Sequence, residues 1–154
     1  VEWEMIERNP FDKGKPLWLK LNNKRKRYLN HDEIERLPES SKGCARDIIE
    51  VAINTSMRRK EILRLKWNQI RDGFIYLSET KTDEAREIPI NDDLAEQIGN
   101  LKKRKAQNID YVFCGRNPYR NINNSFRIAL KKAKIKDFKF HDLWHTFASH
   151  FVIR

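Results

Sequence analysis

Apolar residues recur at helical spacing through the first half of the chain. Asn30 is a favourable N-cap with Glu33 at the capping-box position, which predicts a short helix that ends at Leu37, before a proline. A longer helix is predicted to begin at Ser40 or Ser41. The apolar face of this longer helix comprises Cys44, Ile48, Ile49, Ala52 and Ile53. A further helix holds Ile62, Leu63 and Leu65 and is predicted to end near Trp67.

The pattern then changes from helical spacing to short apolar runs. Residues 74–77 and 86–90 are predicted strands, and the polar residues between them indicate a β-hairpin. Asn91 is predicted to cap the next helix, and two more helices are predicted over residues 121–134 and from His141 onward. The buried side of that last helix is expected to carry Leu143, Phe147 and Phe151. The predicted fold is therefore mostly α with a small antiparallel β-sheet (α+β).

The N-terminal residues differ in character from the rest of the chain. Residues 1–10 read as the end of a helix that stops at Asn9-Pro10. Residues 11–27 contain Gly14, Pro16 and a run of lysines and arginines, which is typical of a basic linker or extended arm. We expect one folded domain over residues 28–154, because a chain of this length forms a single domain by default.

The charge points to a polyanionic partner. The 154 residues carry 32 Lys and Arg against 22 Asp and Glu, a formal net charge of +10. The excess is concentrated within residues 12–27, 102–105 and 127–139. Taken singly, each run is an ordinary solvated helix face. Taken together, the three runs favour nucleic acid over an anionic membrane surface, for which a strongly amphipathic basic helix is missing.

Other classes of protein are disfavoured by the composition. The uncharged apolar runs are a few residues long, whereas a membrane-spanning helix needs roughly 20. The acidic opening of the chain, Val1-Glu2-Trp3-Glu4, is unlike a secretory signal. Cys44 and Cys114 lack the spacing of a zinc site, so we expect no metal and no disulfide. A cytoplasmic location without membrane association is the resulting prediction.

Three segments carry candidate chemistry. Arg58 at a predicted helix start can offer its guanidinium to a phosphate, and Glu61 one turn later can hold that arginine in place. The alternative for these two residues is an ordinary i, i+3 ion pair. Lys81 in the predicted hairpin can reach a bound phosphate, or is simply a solvated turn lysine. His141 and His145 stand at i, i+4. They lack an evident third metal ligand, so hydrogen bonds to phosphate or backbone are favoured over metal binding.

In this order the three segments resemble the catalytic domain of the tyrosine recombinases, the phage-integrase family. Residues 55–67 match the pattern Thr-Gly-(Leu/Met)-Arg-x-x-Glu-(Ile/Leu)-x-x-Leu-x-Trp at every defined position except Ser56. Residues 80–90 are similar to the family's lysine hairpin, and residues 141–149 to its His-x-Leu-Arg-His box. The resemblance covers about residue 28 to the end, and residues 1–10 resemble the last helix of a preceding DNA-clamping domain.

The resemblance implies a site-specific DNA recombinase that works through a 3′-phosphotyrosine intermediate and needs no cofactor. Arg58, Lys81 and His141 correspond to catalytic residues that stabilise phosphoryl charge, protonate the departing 5′ oxygen and hydrogen-bond the phosphate. Glu61 and His145 correspond to supporting residues. The implied partner is double-stranded DNA. The residues expected to contact its backbone are Lys24, Arg25, Lys26, Arg27 and Lys132.

Two departures from the family pattern change the expected activity. Trp144 stands at the position of the family's second catalytic arginine and brings no charge. The family's nucleophilic tyrosine follows the His box, whereas the four tyrosines of this chain, Tyr28, Tyr76, Tyr111 and Tyr119, all precede it. We therefore expect a fragment of a phage or mobile-element integrase that is inactive alone, or alternatively a catalytically dead DNA-binding remnant. Relatives assemble as tetramers on DNA, but we expect this chain to be a monomer in solution.

Overall fold

The computed structural model describes residues 27–77, 85–105, 109–113 and 121–152, with side chains to residue 150. The helices in this part of the chain are α1 (His31–Glu39), α2 (Cys44–Asn54), α3 (Arg59–Arg64), α4 (Asp92–Lys103), α5 (Asn123–Lys132) and α6 (Asp142–Phe147). The strands are β1 (Ile70–Arg71), β2 (Phe74–Leu77) and β3 (Arg86–Pro89). The predicted mostly α fold with a small antiparallel sheet is confirmed. The helix predicted within residues 1–10, the basic residues 24–26 and Lys81 lie outside the described residues.

Helix α1 begins as predicted but continues past its proline. The Asn30 side chain accepts from the Glu33 N–H at 2.8 Å, and the Glu33 carboxylate accepts from the Asn30 N–H at 3.1 Å. The predicted end at Leu37 is wrong, because the helix runs through Pro38 to Glu39. Pro38 lies in the last turn, where its missing N–H removes only one helical bond and its ring is buried in the core.

Helix α2 begins later than the serine pattern predicted. Its N-cap is Gly43, which adopts a positive φ of 55°, and neither Ser40 nor Ser41 caps it. The Ser41 hydroxyl instead donates to the Leu37 carbonyl at 3.0 Å, so it satisfies the end of α1 rather than the start of α2. A glycine is favoured at position 43 because side chains with a Cβ are strained at this φ.

The three strands form an antiparallel sheet in the order β1-β2-β3. Strand β1, which was not predicted, pairs with β2 through the two-residue turn Asp72-Gly73. Both turn residues have positive φ, 52° and 76°, as a type I′ hairpin requires. Strand β3 pairs with β2 in the predicted hairpin, with Ile88 opposite Ile75. The sheet therefore extends the predicted hairpin by one short strand.

Helix α3 ends at Arg64 rather than near Trp67, where it was predicted to end. Beyond α3 the backbone pairs with a distant segment: the Val112 N–H donates to the Leu65 carbonyl at 2.8 Å, and the Trp67 N–H donates to the Asp110 carbonyl at 2.9 Å. Because these backbone groups bond outside the helix, they cannot also extend it. The backbone is therefore extended at Leu65, directly after α3.

Helix α6 is anchored to the start of the domain. It packs against α2, with Leu143 buried as predicted, whereas Phe147 is only partly buried. The side chain of Phe151, predicted to be buried, lies outside the described residues. The buried Thr146 hydroxyl accepts from the Leu29 N–H at 3.1 Å and donates to the Asp142 carbonyl at 3.0 Å. These contacts fix the rotation of α6 and so determine which of its side chains reach solvent. Helix α4, with 12 residues, is the longest described helix, and no described helix is long and apolar enough to span a membrane.

Arg27 is held on the domain rather than extended away from it. Its guanidinium binds the Glu33 carboxylate through both nitrogens, at 2.6 and 3.0 Å, and lies 5.5 Å from the centroid of the Phe138 ring. The hydrogen bond from Arg27 holds the pKa of Glu33 below its usual value, against the opposing effect of burial. Glu33 thus serves both the helix cap and this ion pair.

Replacing Glu33 with Gln is expected to lower the free energy of unfolding by about 1–2 kcal/mol at neutral pH. A lowered folded-state pKa stabilises the fold above the unfolded pKa of about 4.3, and this stabilisation is lost as the pH falls through the folded value. The difference between wild type and variant should therefore shrink below about pH 4. Urea unfolding at several pH values between acid and neutral measures this difference in the free energy of unfolding. The control is Glu35→Gln, at an exposed position of the same helix. A difference that stays constant with pH would contradict the ion-pair explanation.

Candidate active site

A large basic cleft lies between α3, α5 and the start of α6. Its volume is about 1420 Å³, and its walls include Arg58, His141 and Trp144. Among the described residues that line it, Glu61 is the one carboxylate. The cationic lining consists of Arg58, Arg59, Lys60, Arg64, Lys66, Arg127 and Lys139. A concave surface with this excess of positive charge attracts phosphate groups.

Arg58 is presented by the turn between α2 and α3. Thr55 stabilises this turn: its buried hydroxyl donates to the Val51 carbonyl at 2.8 Å and accepts from the Met57 N–H at 3.3 Å. Arg58 is the N-cap residue of α3, with extended backbone, and its side chain is 43% exposed. The guanidinium is therefore rigidly based and open to a ligand.

Glu61 binds Arg58, and it also binds a second arginine. Its carboxylate accepts from the Arg58 N–H at 2.7 Å and from the Arg58 guanidinium at 3.1 Å. The guanidinium of Arg86, in β3, also donates to the Glu61 carboxylate at 2.6 Å and to the Ser56 carbonyl at 3.3 Å. The Glu61 side chain is only 8% exposed. Arg86 thus ties the β2–β3 hairpin to the turn that carries Arg58, a link that the sequence pattern did not predict.

Replacing Glu61 with Gln is expected to destabilise the fold by about 1–2 kcal/mol, because two charge-assisted contacts are lost while both arginines remain partly solvated. Chemical denaturation at neutral pH measures the loss. Glu87→Gln is the matched control: Glu87 lies in the same strand as Arg86, but its side chain is exposed, so a change within about 0.5 kcal/mol is expected. Equal effects of the two substitutions would show that Glu61 does not hold this turn together.

Ser56 replaces a glycine of the family pattern without strain. The described residues other than glycine with positive φ are Asp72, Lys134 and Asp137, and Ser56 is not among them. Serine is therefore harmless at this position, as expected for a turn that does not need a positive φ.

The histidine box forms a cluster of rings at the start of α6. His141 is exposed at the N-cap position, and its ring is parallel to that of Trp144, with an interplanar angle of 3° and 6.3 Å between centroids. The ring of half-buried His145 meets both others edge-on, 5.7 Å from His141 and 5.0 Å from Trp144. No group of three or more potential metal ligands occurs in the part of the chain that the structure describes. The cluster presents imidazole and indole groups to the cleft.

The structure brings together only some of the predicted site residues. Arg58, Glu61, His141 and Trp144 line one cleft, although they come from separate parts of the chain. Lys81 and residues 24–26 lie outside the described residues, so their roles stay predictions. Lys132 is exposed on the last turn of α5 but does not line the cleft. The predicted DNA contacts of Arg27 and Lys132 are likewise untested by the geometry.

Some residues that line the cleft were not predicted as site residues from the sequence. Others were noted there only as members of a basic run. Arg59 of α3 donates to the Asn123 side chain at the start of α5, which links two walls of the cleft. Arg127 and Lys139 lie within the run over residues 127–139 and both face the cleft. The positive charge of this run indicated that some of its members bind an anion. The sequence does not show which members lie on the same surface.

The fold and the cleft together define the class: a mostly helical domain with a small antiparallel sheet and a basic cleft. The sequence model of the phage integrase family matches residues 27–153, and the chain belongs to this family. The predicted family resemblance is thereby confirmed.

Individual relatives agree with this assignment. The chain is 32% identical to the integrase of Salmonella phage P22, over 98% of this chain and 42% of that protein. The structure resembles the XerA recombinase, with a TM-score of 0.67 and 27% identity over 82% of this chain and 49% of that one. It also shares the fold of the lambda integrase catalytic core, with a TM-score of 0.66 and 20% identity over 79% of this chain and 81% of that one. The chain thus spans less than half the length of the P22 integrase.

Proposed function

We propose that the chain supplies the DNA-binding and phosphate-activating part of a site-specific DNA recombinase or integrase. The observation that carries this proposal is the convergence of Arg58 and His141, from separate parts of the chain, on one basic cleft. To these two groups we assign the roles that the family resemblance implies. Double-stranded DNA is the proposed partner, and the cytoplasm of a bacterial, archaeal or phage-infected cell is the proposed place of action.

The proposed reaction is a transesterification at a DNA phosphodiester. A tyrosine oxygen attacks the phosphorus, a 3′-phosphotyrosine bond forms, and the bond to the 5′ oxygen breaks. Arg58 stabilises the charge on the transferring phosphoryl oxygens, and His141 donates a hydrogen bond to them. Lys81 is proposed to protonate the departing 5′ oxygen as general acid. By the family pattern the attacking tyrosine follows the His141 box, so none of the tyrosines at 28, 76, 111 and 119 is assigned this role.

Trp144 lowers the expected rate of this reaction. An exposed indole offers one neutral donor, whereas the arginine of the family pattern offers five donors and a positive charge. In a version that extends past Arg154 and carries the family tyrosine, Trp144→Arg is expected to speed strand cleavage by roughly 10²–10³-fold. The measurement is the rate at which a DNA adduct resistant to denaturation forms.

Two controls make this test decisive. Replacing the family tyrosine with Phe in the extended Trp144→Arg version should abolish the adduct, and Arg58→Ala should strongly slow it. If the extended Trp144→Arg version binds DNA but never forms an adduct, the recombinase proposal fails and a DNA-binding remnant is the better description.

Assembly on DNA is proposed to differ from the state in solution. Lambda integrase, which shares this fold, has been solved as a tetramer bound to a Holliday junction. We propose that this chain is a monomer when free and associates with further copies only on DNA. Sedimentation of the free chain and of its DNA complex tests this, and a stable oligomer in the absence of DNA would contradict it.

A further inference from the structure

Trp144 is an exposed aromatic side chain inside a positively charged cleft. Its exposed fraction is 40%, although tryptophan is usually well buried. The other large apolar side chains that are exposed in the described part of the chain are Tyr28, Phe74 and Ile128, and none of these lines the cleft. The position of Trp144 therefore combines an accessible π surface with a phosphate-attracting environment.

The indole ring is held in place by its helix and by its neighbours. Leu143 and Thr146, on either side of it in sequence, are buried and fix the rotation of α6. The Trp144 ring lies parallel to the His141 ring and meets the His145 ring edge-on. A ring that is already ordered loses little conformational freedom when it stacks on a ligand.

The charge around Trp144 suits a nucleotide rather than a neutral aromatic ligand. Seven lysine and arginine side chains line the cleft with it. The Glu61 carboxylate is already bound by Arg58 and Arg86, so it repels an incoming phosphate less than a free carboxylate would. Proteins that bind single-stranded nucleic acid combine a cationic groove, which follows the phosphates, with exposed aromatic rings, on which the bases stack.

We propose that Trp144 is a stacking platform for an unpaired DNA base. The cleft then binds DNA that contains an unpaired nucleotide more tightly than fully paired duplex, whose bases are already stacked on each other. This inference rests on the proposed function only in assuming that the cleft binds DNA. The indole thus adds a preference for unpaired or extruded bases that charge alone does not produce.

The test compares two DNAs at one fixed salt concentration by fluorescence anisotropy. One is a fully paired duplex and the other is the same duplex with a single bulged nucleotide; a bulge with an abasic sugar controls for flexibility. Stacking of one base is expected to favour the bulged DNA by roughly 5–150-fold. Trp144→Ala should abolish this preference, and Trp144→Phe, which keeps an aromatic face, should retain part of it.

Phe74→Ala is the matched control, because Phe74 is an exposed aromatic residue on the sheet that does not line the cleft. This variant should keep the full preference for the bulged DNA. A wild-type chain that binds both DNAs equally, or a preference that survives in Trp144→Ala, would overturn the stacking proposal alone. A wild-type chain that binds neither DNA would instead refute the proposed DNA-binding function of the cleft.

Discussion

A rise in salt from about 50 to about 200 mM is expected to lower the affinity of the chain for duplex DNA by roughly 10³–10⁴-fold. Each cation that neutralises a phosphate releases a condensed counterion, and the logarithm of the affinity falls with the logarithm of salt by about 0.9 per phosphate. Seven cationic side chains line the cleft. If all seven contact phosphates, the expected slope is about −6.

Single charge substitutions test which side chains contribute to this slope. Arg127→Gln removes an exposed cation from the cleft wall and should make the slope shallower by about 0.9. Lys42→Gln makes a comparable charge change at an exposed position between α1 and α2, outside the cleft and outside the basic runs, so the slope should stay the same. Affinities measured at four or five salt concentrations give the slope for each variant. An identical slope for wild type and Arg127→Gln would exclude that wall of the cleft from the DNA interface.

Lys132 extends this comparison beyond the cleft. The sequence predicted a backbone contact for it, but the structure places it on α5 outside the cleft lining. A slope reduced by about 0.9 in Lys132→Gln would show that bound DNA continues past the cleft edge. An unchanged slope would exclude Lys132 from the interface and make this sequence prediction wrong.

Much of the fold could be predicted because its determinants are local. The capping box of Asn30 and Glu33 depends on residues three apart, and the structure shows both of its hydrogen bonds. The contact between Arg58 and Glu61 follows in the same way from i, i+3 spacing. The predicted start of α2 was wrong for a local reason, because the Ser41 hydroxyl bonds back to the Leu37 carbonyl at the end of α1. The predicted end of α3 was wrong because of a distant partner: the residues after this helix pair with the segment around residue 111.

The parts of the site that the sequence did not reveal depend on tertiary packing. Arg86 is 25 residues from Glu61, and their ion pair requires β3 to lie beside the start of α3. The short strand β1 was missed, although its Asp72-Gly73 turn is a strong hairpin signal. The exposure of Trp144 follows from the rotation of α6, which is fixed by buried contacts elsewhere on the helix.

Replacing Leu143 with Ala is expected to lower the free energy of unfolding by about 2–5 kcal/mol. Leu143 is 1% exposed and lies in the main apolar core, where α6 packs against α2. Truncation removes buried methyl and methylene groups and leaves a cavity that neighbouring side chains fill only partly. This loss of stability exceeds those expected for Glu33→Gln and Glu61→Gln, because these two substitutions act on partly solvated polar contacts.

The same substitution connects the core to the site, because His141 and Trp144 project from the helix that Leu143 anchors. Urea unfolding measures the loss of stability, and Ile128→Ala on α5 is the matched control: its side chain is 47% exposed, so a change within about 0.5 kcal/mol is expected. At a urea concentration where the variant is still folded, a loosened α6 should also reduce the preference for bulged DNA. A Leu143→Ala variant as stable as Ile128→Ala would mean that α6 is not anchored through this residue, and the rigid presentation of the Trp144 ring would lose its structural basis.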